Sequence, residues 1–302
     1  MTLLAIVGPT ASGKTAVSLE LAKLIDIEII SADSRQIYKH LDIGTAKPTK
    51  DELKKVKHHF IDIVEPDEYY SAGLFGNQAD VIANQIFSRK KIPVLVGGSG
   101  LYIKALCEGL FDEDASEIRD SIRKELSDRL TREGSVKLYE ELGKVDNDSA
   151  KLYSDKNPRR ILRALEYFYL TGKPLTKAHS EKKTDKNFKT KYFGIYFERE
   201  ELYKRINVRA EQMWEMGLIK ETEKVLKMGY SPGLNSLNTV GYKECISYIN
   251  GVLSKDEAIE LTKRNTRRYA KRQMTWFRKN KYIEWLSNDS KEIARIIVRS
   301  IL

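Results

Sequence analysis

Almost at the beginning of the chain the apolar run Leu3 to Val7 is followed by "GPTASGKT", Gly8 to Thr15. The spacing G-x-x-x-x-G-K-[ST], set between a strand and a helix, is a P-loop. Its amides and the helix N-terminus gather phosphate oxygens, Lys14 neutralises them, and the Thr15 hydroxyl can hold magnesium. The loop by itself says only that a di- or triphosphate binds. It also demands a strand, a turn and a helix in succession, and up to about residue 113 the sequence continues in that alternation. "LLAIV", "IEII", "FIDIV" and "IPVLV" are short, apolar and β-branched, as strands buried on both faces of a parallel sheet should be.

The pattern then changes. From about Asp114 to Lys189 strands vanish and charged amphipathic helices take over, with Ile118, Ile122, Leu126 and Leu130 repeating every four residues. A second helix is expected to start at the cap Asn157 with Pro158 in its first turn, to turn Ile161, Leu165 and Phe168 inward, and to stop at Gly172. After "EKKTDKNFKTK" a strand returns, "YFGIYF" (Tyr192 to Phe197), and helices dominate thereafter apart from a short candidate strand, "YIEWL". The expected architecture is α/β: a P-loop NTPase-like parallel sheet built from residues 1–113 and 190–302, with a mostly helical insertion domain over 114–189.

With 302 residues and 41% hydrophobic content the chain can bury a full core. No apolar run approaches the 18 or so residues that span a membrane, and the N-terminus lacks a basic region followed by a cleavable apolar stretch, so a cytosolic protein without membrane contact is expected. Cys107 and Cys245 lie too far apart for a disulfide framework or a zinc pair and read as buried small residues. The formal net charge of +10 and a pI near 9.3 suit a polyanionic partner. The charge concentrates between Lys263 and Lys281, "KRNTRRYAKRQMTWFRKNK", where nine Lys or Arg stand without an acid. Tyr269 and Trp276 are interleaved there, and Ala270, Met274 and Phe277 form an apolar stripe at helical spacing. Ser254 to Glu257 reads as the capping box of that helix. One face packs and the other meets phosphate.

Nucleotide hydrolases and kinases usually present a magnesium-holding Asp after the third or fourth core strand, but "KIPVLVGGSGLY" ends in Gly97 and Gly98. Instead "IEIISADSRQIY" delivers Asp33 just past the second strand, at the edge that faces the ligand crevice in an open α/β sheet. Asp33 could hold magnesium, act as a general base, or cap a following helix. Arg205 and Arg209 share one face of a helix as further anion contacts, or as a solvated face with Glu201 paired to Arg205. Adjacent His58 and His59 point different ways on any regular element and read as structural.

"GPTASGKT", "SADSRQIYKHLDIGTAKP", "HHFIDI", "YSAGLF", "VGGSGLYIKAL", "NPRRILRALE", "VGYKE" and "TRRYAKRQMTWFR" stand in the order and spacing of the tRNA dimethylallyltransferases, or tRNA isopentenyltransferases, which this chain resembles over nearly its whole length. It departs from the family pattern in Ser99, where many relatives have Thr, and in His40, where a small residue is expected. It also lacks the ligand set of the C-terminal zinc finger of longer eukaryotic relatives.

The resemblance implies transfer of the dimethylallyl group from dimethylallyl diphosphate to the exocyclic amine of the adenosine 3′-adjacent to the anticodon, with release of pyrophosphate. It implies Asp33, Lys14 and Ser99 as catalytic residues. Gly8, Pro9, Thr10, Ala11, Ser12, Gly13, Lys14, Thr15 and Arg209 would hold the diphosphate, with Mg2+ on Thr15. Asp33, Ser34, Arg35 and Gln36 would surround the flipped adenosine and its neighbours. Arg159, Arg160 and Arg163 would grip the anticodon stem loop, Ser99, Arg119, Ile161 and Leu162 would be further RNA contacts, and Lys271, Arg272 and Arg278 would meet tRNA from the basic helix. A monomer is expected. Two other classes share part of these features: a nucleotide or nucleoside kinase, which would turn over ATP, and a non-catalytic RNA-binding switch, which would form no product.

Overall fold

The computed structural model of the chain describes residues 1–109, 117–177, 186–287 and 289–301, with side chains from residue 121 onward in the segment that begins at 117. Two compact units separate, Met1–Glu108 with Lys186–Leu302, and Gly109–Asp185. The first unit opens with β1 (Thr2–Val7), α1 (Lys14–Ala22), β2 (Ile27–Ala32), α2 (Lys50–Lys55), β3 (His58–His59), α3 (Ala72–Ser88), β4 (Ile92–Gly97) and α4 (Gly100–Glu108). Side chains alternate across a strand, so β1 feeds two cores at once. Leu3, Ala5 and Val7 join Phe75, Ala79 and Ile86 of α3 on one face, while Leu4 and Ile6 join Val17 and Leu21 of α1 on the other.

The strand expected at "FIDIV" is displaced. The residues that pair with β2 are His58 and His59; Phe60 and Asp62 then take left-handed φ of 65° and 54°, which ends the extended run. Phe60 still reaches the core, edge-on to Phe75 at 4.9 Å, and Val64 keeps a single bridge to Tyr38. The apolar residues of this segment therefore fill the core without continuing the ladder. His59 Nε2 lies 2.8 Å from the buried Glu28 carboxylate, which also accepts Arg89 Nε and Nη2 at 3.0 and 2.8 Å. Burial alone would raise the Glu28 carboxyl, but the Arg89 and His59 bonds hold it below the ordinary range.

In the second unit α5 (Glu117–Val145) is interrupted at Gly134, whose φ of 80° and ψ of 165° are not helical, and is followed by α6 (Asn147–Leu152) and α7 (Pro158–Thr171). Asn157 Oδ1 accepts the Arg159 amide at 3.1 Å, Pro158 fills the first turn, and Gly172 closes α7 in the left-handed region. Leu126, Leu138, Leu142, Ala150, Ile161, Ala164 and Leu165 form the core, with Ile122 and Leu130 packed against it. Ile118 of the expected repeat lies outside the described side chains. Phe168, expected to turn inward with Ile161 and Leu165, is only half-buried and does not join this cluster.

The chain then returns to the first unit as β5 (Lys189–Ile195), α8 (Arg199–Glu215), α9 (Leu218–Lys227), α10 (Tyr242–Ile249), α11 (Lys255–Phe277), β6 (Ile283–Leu286) and α12 (Ser290–Ile301). The six strands run parallel in the order β3-β2-β4-β1-β5-β6. β5 lies against β1 from Thr2↔Lys189 to Val7↔Gly194, and β6 continues the sheet beyond it. α12 closes the second core over α1 with Ile293, Ala294 and Ile297. The Ser254–Glu257 capping box starts α11 as expected, with the Ser254 amide donating to the Glu257 carboxylate and the Glu257 amide donating to Ser254 Oγ.

The "DIGTAKP" and "VGYKE" motifs meet as scaffolding. The Glu221 carboxylate of α9 accepts the amides of Asp42 and Ile43 at 3.1 and 2.9 Å and the Tyr242 hydroxyl at 2.6 Å. Lys47 Nζ donates to Tyr38 O at 2.6 Å and to Asp42 Oδ1 at 2.7 Å. The loop is thereby pinned at both ends, and the turn after β2 stands on it.

Candidate active site

The C-terminal ends of β1, β2 and β4 open on one edge of the sheet, and each delivers one component of the site. β1 ends in the P-loop. Lys14 Nζ folds back on the loop and donates to Gly8 O and Pro9 O at 3.1 and 2.7 Å. Arg205 and Arg209 of α8 both reach the loop: Arg205 Nε donates to Ala11 O at 3.0 Å and its guanidinium lies 4.5 Å from the Phe197 ring centroid, while Arg209 Nη1 stands 3.5 Å from Thr10 Oγ1. Ser12 Oγ is buried and has no hydrogen-bond partner. An orphaned hydroxyl inside a ring of cations and amides fits an oxygen-rich anion.

Burial first, and the neighbouring Arg209 next, push the Lys14 ammonium down to about 7 against the opposing pull of Asp33. Burial likewise lowers Arg209, again opposed by Asp33. A bound diphosphate favours charged Lys14, so above pH 7 binding must take up a proton. Pyrophosphate affinity is therefore expected to weaken by up to about tenfold per pH unit above pH 7. Calorimetry on wild type beside Lys14→Met cancels the ionisation of pyrophosphate itself, and equal pH slopes in the two proteins would reject the linkage.

β2 delivers Asp33. No helix follows it: residues 34–37 form turns, so the helix-cap reading falls. Asp33 Oδ1 instead accepts the Arg35 amide at 2.9 Å, two residues on, which orients the carboxylate locally. Its charge is felt at Lys14, Arg209 and Tyr269. β4 delivers Ser99, whose amide donates to Ala32 O at 3.1 Å and whose Oγ accepts the Ser34 amide at 3.0 Å. Ser99 thus ties the β4 turn to the residue beside Asp33.

Several expected site residues are bonded within the fold. The Gln36 carboxamide is engaged on both sides, donating to Ala46 O at 3.1 Å and accepting Ser31 Oγ at 3.1 Å, so it braces the Asp42–Pro48 loop. Arg35 Nη1 donates to Asn235 O at 2.7 Å. Ile161 is fully buried in the core of the second unit, so its side chain packs α7 and cannot meet RNA. On the same helix Arg159 and Arg160 are exposed, Leu162 and Arg163 are half-buried, and Arg160 and Arg163 lie 3.6 Å from Asp155 and Glu166. Lys271, Arg272 and Arg278 are all exposed on or just beyond α11. The side chain of Arg119 lies outside the described residues.

Two residues of α11 bear on the site: Tyr269, noted in the sequence only as an aromatic interleaved in the basic stretch, and Gln273, which its type and spacing do not announce. Burial first, and Asp33 next, push the Tyr269 hydroxyl up to about 12, against the pull of Arg35 and Ser99. Gln273 is buried between the P-loop and the β4 turn. Among the described residues no group of three or more His, Cys, Asp or Glu could hold a metal ion. Thr15 stands half-buried in the first turn of α1, directly after the loop, where its hydroxyl would suit a magnesium ion that keeps several waters and shares phosphate oxygens.

The IPP transferase family model matches residues 36–280. A tRNA dimethylallyltransferase of Pelotomaculum thermopropionicum is 46% identical over 301 residues, covering 98% of this chain and 95% of that protein. One of Thermotoga maritima is 43% identical over 291 residues, covering 96% and 93%. Among solved structures, a tRNA delta(2)-isopentenylpyrophosphate transferase of Staphylococcus epidermidis superposes with a TM-score of 0.72 at 38% identity, covering 99% of this chain and 98% of that one. A eukaryotic dimethylallyltransferase described as acting on tRNA superposes with a TM-score of 0.80 at 27% identity, covering 99% and 77%. A family model matched over most of the sequence, near-full-length relatives and a shared fold make this chain a member of the IPP transferase family of enzymes.

Proposed function

We propose that this enzyme transfers the dimethylallyl group of dimethylallyl diphosphate to the exocyclic amine of the adenosine 3′-adjacent to the tRNA anticodon. The observation that carries the reading is the placement of Asp33 just past β2, beside Ser34 whose amide bonds Ser99 of the β4 turn, at the same sheet edge as the P-loop, while the β4 turn that would carry a magnesium-holding acid is built from glycines. An anion cradle beside one base suits a reaction in which phosphate leaves with the bonding electrons and a proton leaves the nucleophile.

The adenine amine attacks the allylic carbon, the carbon–oxygen bond breaks, and its electron pair goes to the diphosphate. Charge growing on the leaving oxygens would be met by Lys14, the loop amides, the unpartnered Ser12 hydroxyl and Arg209. Thr15 would hold magnesium, which adds further neutralisation of the diphosphate when bound. The amine is a weak nucleophile because its lone pair is delocalised into the ring, and Asp33 accepts its proton as attack proceeds. Ser99 and the Arg35 amide hold the Asp33 turn in register with the β4 turn.

The tRNA is met by exposed Lys271, Arg272 and Arg278 in the first unit and by Arg159, Arg160 and Arg163 in the second. No helix among the described residues is long and apolar enough to cross a membrane. Replacing Arg160 and Arg163 together is expected to raise the Michaelis constant for tRNA and to lower the slope of log K against log salt by up to about 2, one for each phosphate that is no longer neutralised. A slope equal to wild type would show that these arginines do not touch phosphate. The function itself is tested by incubating the enzyme with tRNA and labelled dimethylallyl diphosphate and analysing the nucleosides. Label on the adenosine beside the anticodon supports the proposal; turnover of ATP without prenyl transfer overturns it.

A further inference from the structure

Gln273 lies in the middle of the most basic stretch of the chain, yet it is only 6% exposed. Its Oε1 accepts the Thr10 amide of the P-loop at 2.8 Å and its Nε2 donates to Gly98 O of the β4 turn at 3.0 Å. One carboxamide therefore joins the two loops that carry the donor cradle and Ser99. The turn is shaped to admit it. A Cβ on Gly98 would stand 2.2 Å from Gln273 Nε2, and a Cβ on Gly100 would stand 2.2 Å from the Trp276 ring. Gln273 and Trp276 are three apart and share a face of α11, so the two glycines of the turn match two bulky residues of a distant helix. Thr10 is held on its other side by Arg209 of α8, whose guanidinium lies 3.5 Å from the Thr10 hydroxyl.

We infer that Gln273 is a positioning residue for the transfer reaction, resting on the prenyl-transfer reading above. By bridging Thr10 and Gly98 it sets the separation between the diphosphate held on β1 and the Ser99–Ser34–Asp33 turn held on β4 and β2. An amide is the side chain suited to this place, since it accepts from an N–H with one end and donates to a carbonyl with the other. Glu would set a carboxylate oxygen against Gly98 O, and Met would fill the same volume and leave both backbone groups unpaired.

The test compares wild type, Gln273→Met, Gly98→Ala and the double variant Gly98→Ala/Gln273→Ala. Single-turnover prenyl transfer is read at saturating donor and tRNA, beside tRNA affinity, pyrophosphate affinity and melting temperature. Gln273→Met is expected to slow transfer by about 10- to 100-fold, the order of loss that a small misplacement of reacting groups causes. Its tRNA affinity should stay within about twofold of wild type, because the exposed cations of α11 are untouched. Gly98→Ala should give the same loss by displacing the carboxamide. The double variant should remain slow, because the space is restored but the bonds are not. A double variant as fast as wild type would reduce Gln273 to packing and overturn the inference, as would Gln273→Met that melts earlier yet transfers at the wild-type rate. If wild type transfers no prenyl group, the function proposed above fails by itself. The bridge is then judged by pyrophosphate affinity, where an unchanged value in Gln273→Met rejects it.

Discussion

Asp33→Asn is expected to slow single-turnover prenyl transfer by about 100- to 10,000-fold, the usual span for a lost general base. The substitution is a narrow one. Asn keeps the side-chain oxygen that accepts the Arg35 amide, so the turn after β2 and the melting temperature should survive, and tRNA affinity should change little. What Asn cannot do is take the proton of the attacking amine. Running the assay across a magnesium series separates the two remaining roles: a rate restored by added magnesium would make Asp33 a metal ligand, and a near-normal rate at every concentration would remove it from the reaction. The proton-acceptor role requires a loss that magnesium does not repair.

Lys14→Ala should cost turnover on the order of 100- to 1,000-fold, the range seen when one preorganised electrostatic group is removed from a transition state. Beyond its proposed role in neutralising charge, the Lys14 ammonium braces Gly8 O and Pro9 O. Its stability effect has a definite sign. The folded-state pKa is depressed below its unfolded value, so the unfolded chain binds more protons between about pH 7 and 10.5, and this group makes stability rise with pH across that window. Lys14→Ala removes that slope, and it should melt no earlier than wild type at pH 6, where the buried charge costs most. Wild-type turnover at saturating donor would reject the catalytic role; a large drop in melting temperature at pH 6 would show that the brace outweighs the burial of charge.

The core of the fold was legible because physics writes it locally. A strand buried on both faces has to be apolar and β-branched, and β1, β4 and most of β2 are, while β5 is apolar only over its buried end, Phe193 to Ile195; the loop between β1 and α1 has to supply amides to phosphate, and its glycines and lysine say so. "FIDIV" misleads because burial and strand pairing are different demands: Phe60 and Val64 meet the first, while left-handed Phe60 and Asp62 refuse the second. Its place in "NPRRILR" groups Ile161 with residues expected to meet RNA, although the period it shares with Leu165 already marks it as core. Gln273 and Glu221 are invisible in the sequence as site and scaffold residues, since their partners are backbone groups that become neighbours only in the folded sheet. A faint sign of Gln273 exists: with Thr262 it is one of two polar residues among the buried ones of α11, beside Ala270 and Phe277.

The placement of β5 has a kinetic meaning. β1 is central in the sheet, yet one of its two ladders waits for residues that leave the ribosome only after the whole of Gly109–Asp185 has been made. At roughly 5–20 residues per second the interval between Gly97 and Lys189 lasts on the order of ten seconds. During that time a nascent chain that has joined β1, β2 and β4 presents the bare side of its most apolar strand. The intervening helices pack mostly on near neighbours in sequence and can fold inside that delay, whereas the sheet cannot close until they have been synthesised. Slow translation between Gly97 and Lys189 should therefore lower the soluble yield of this enzyme more than slow translation after Ile195, by prolonging the life of an open edge.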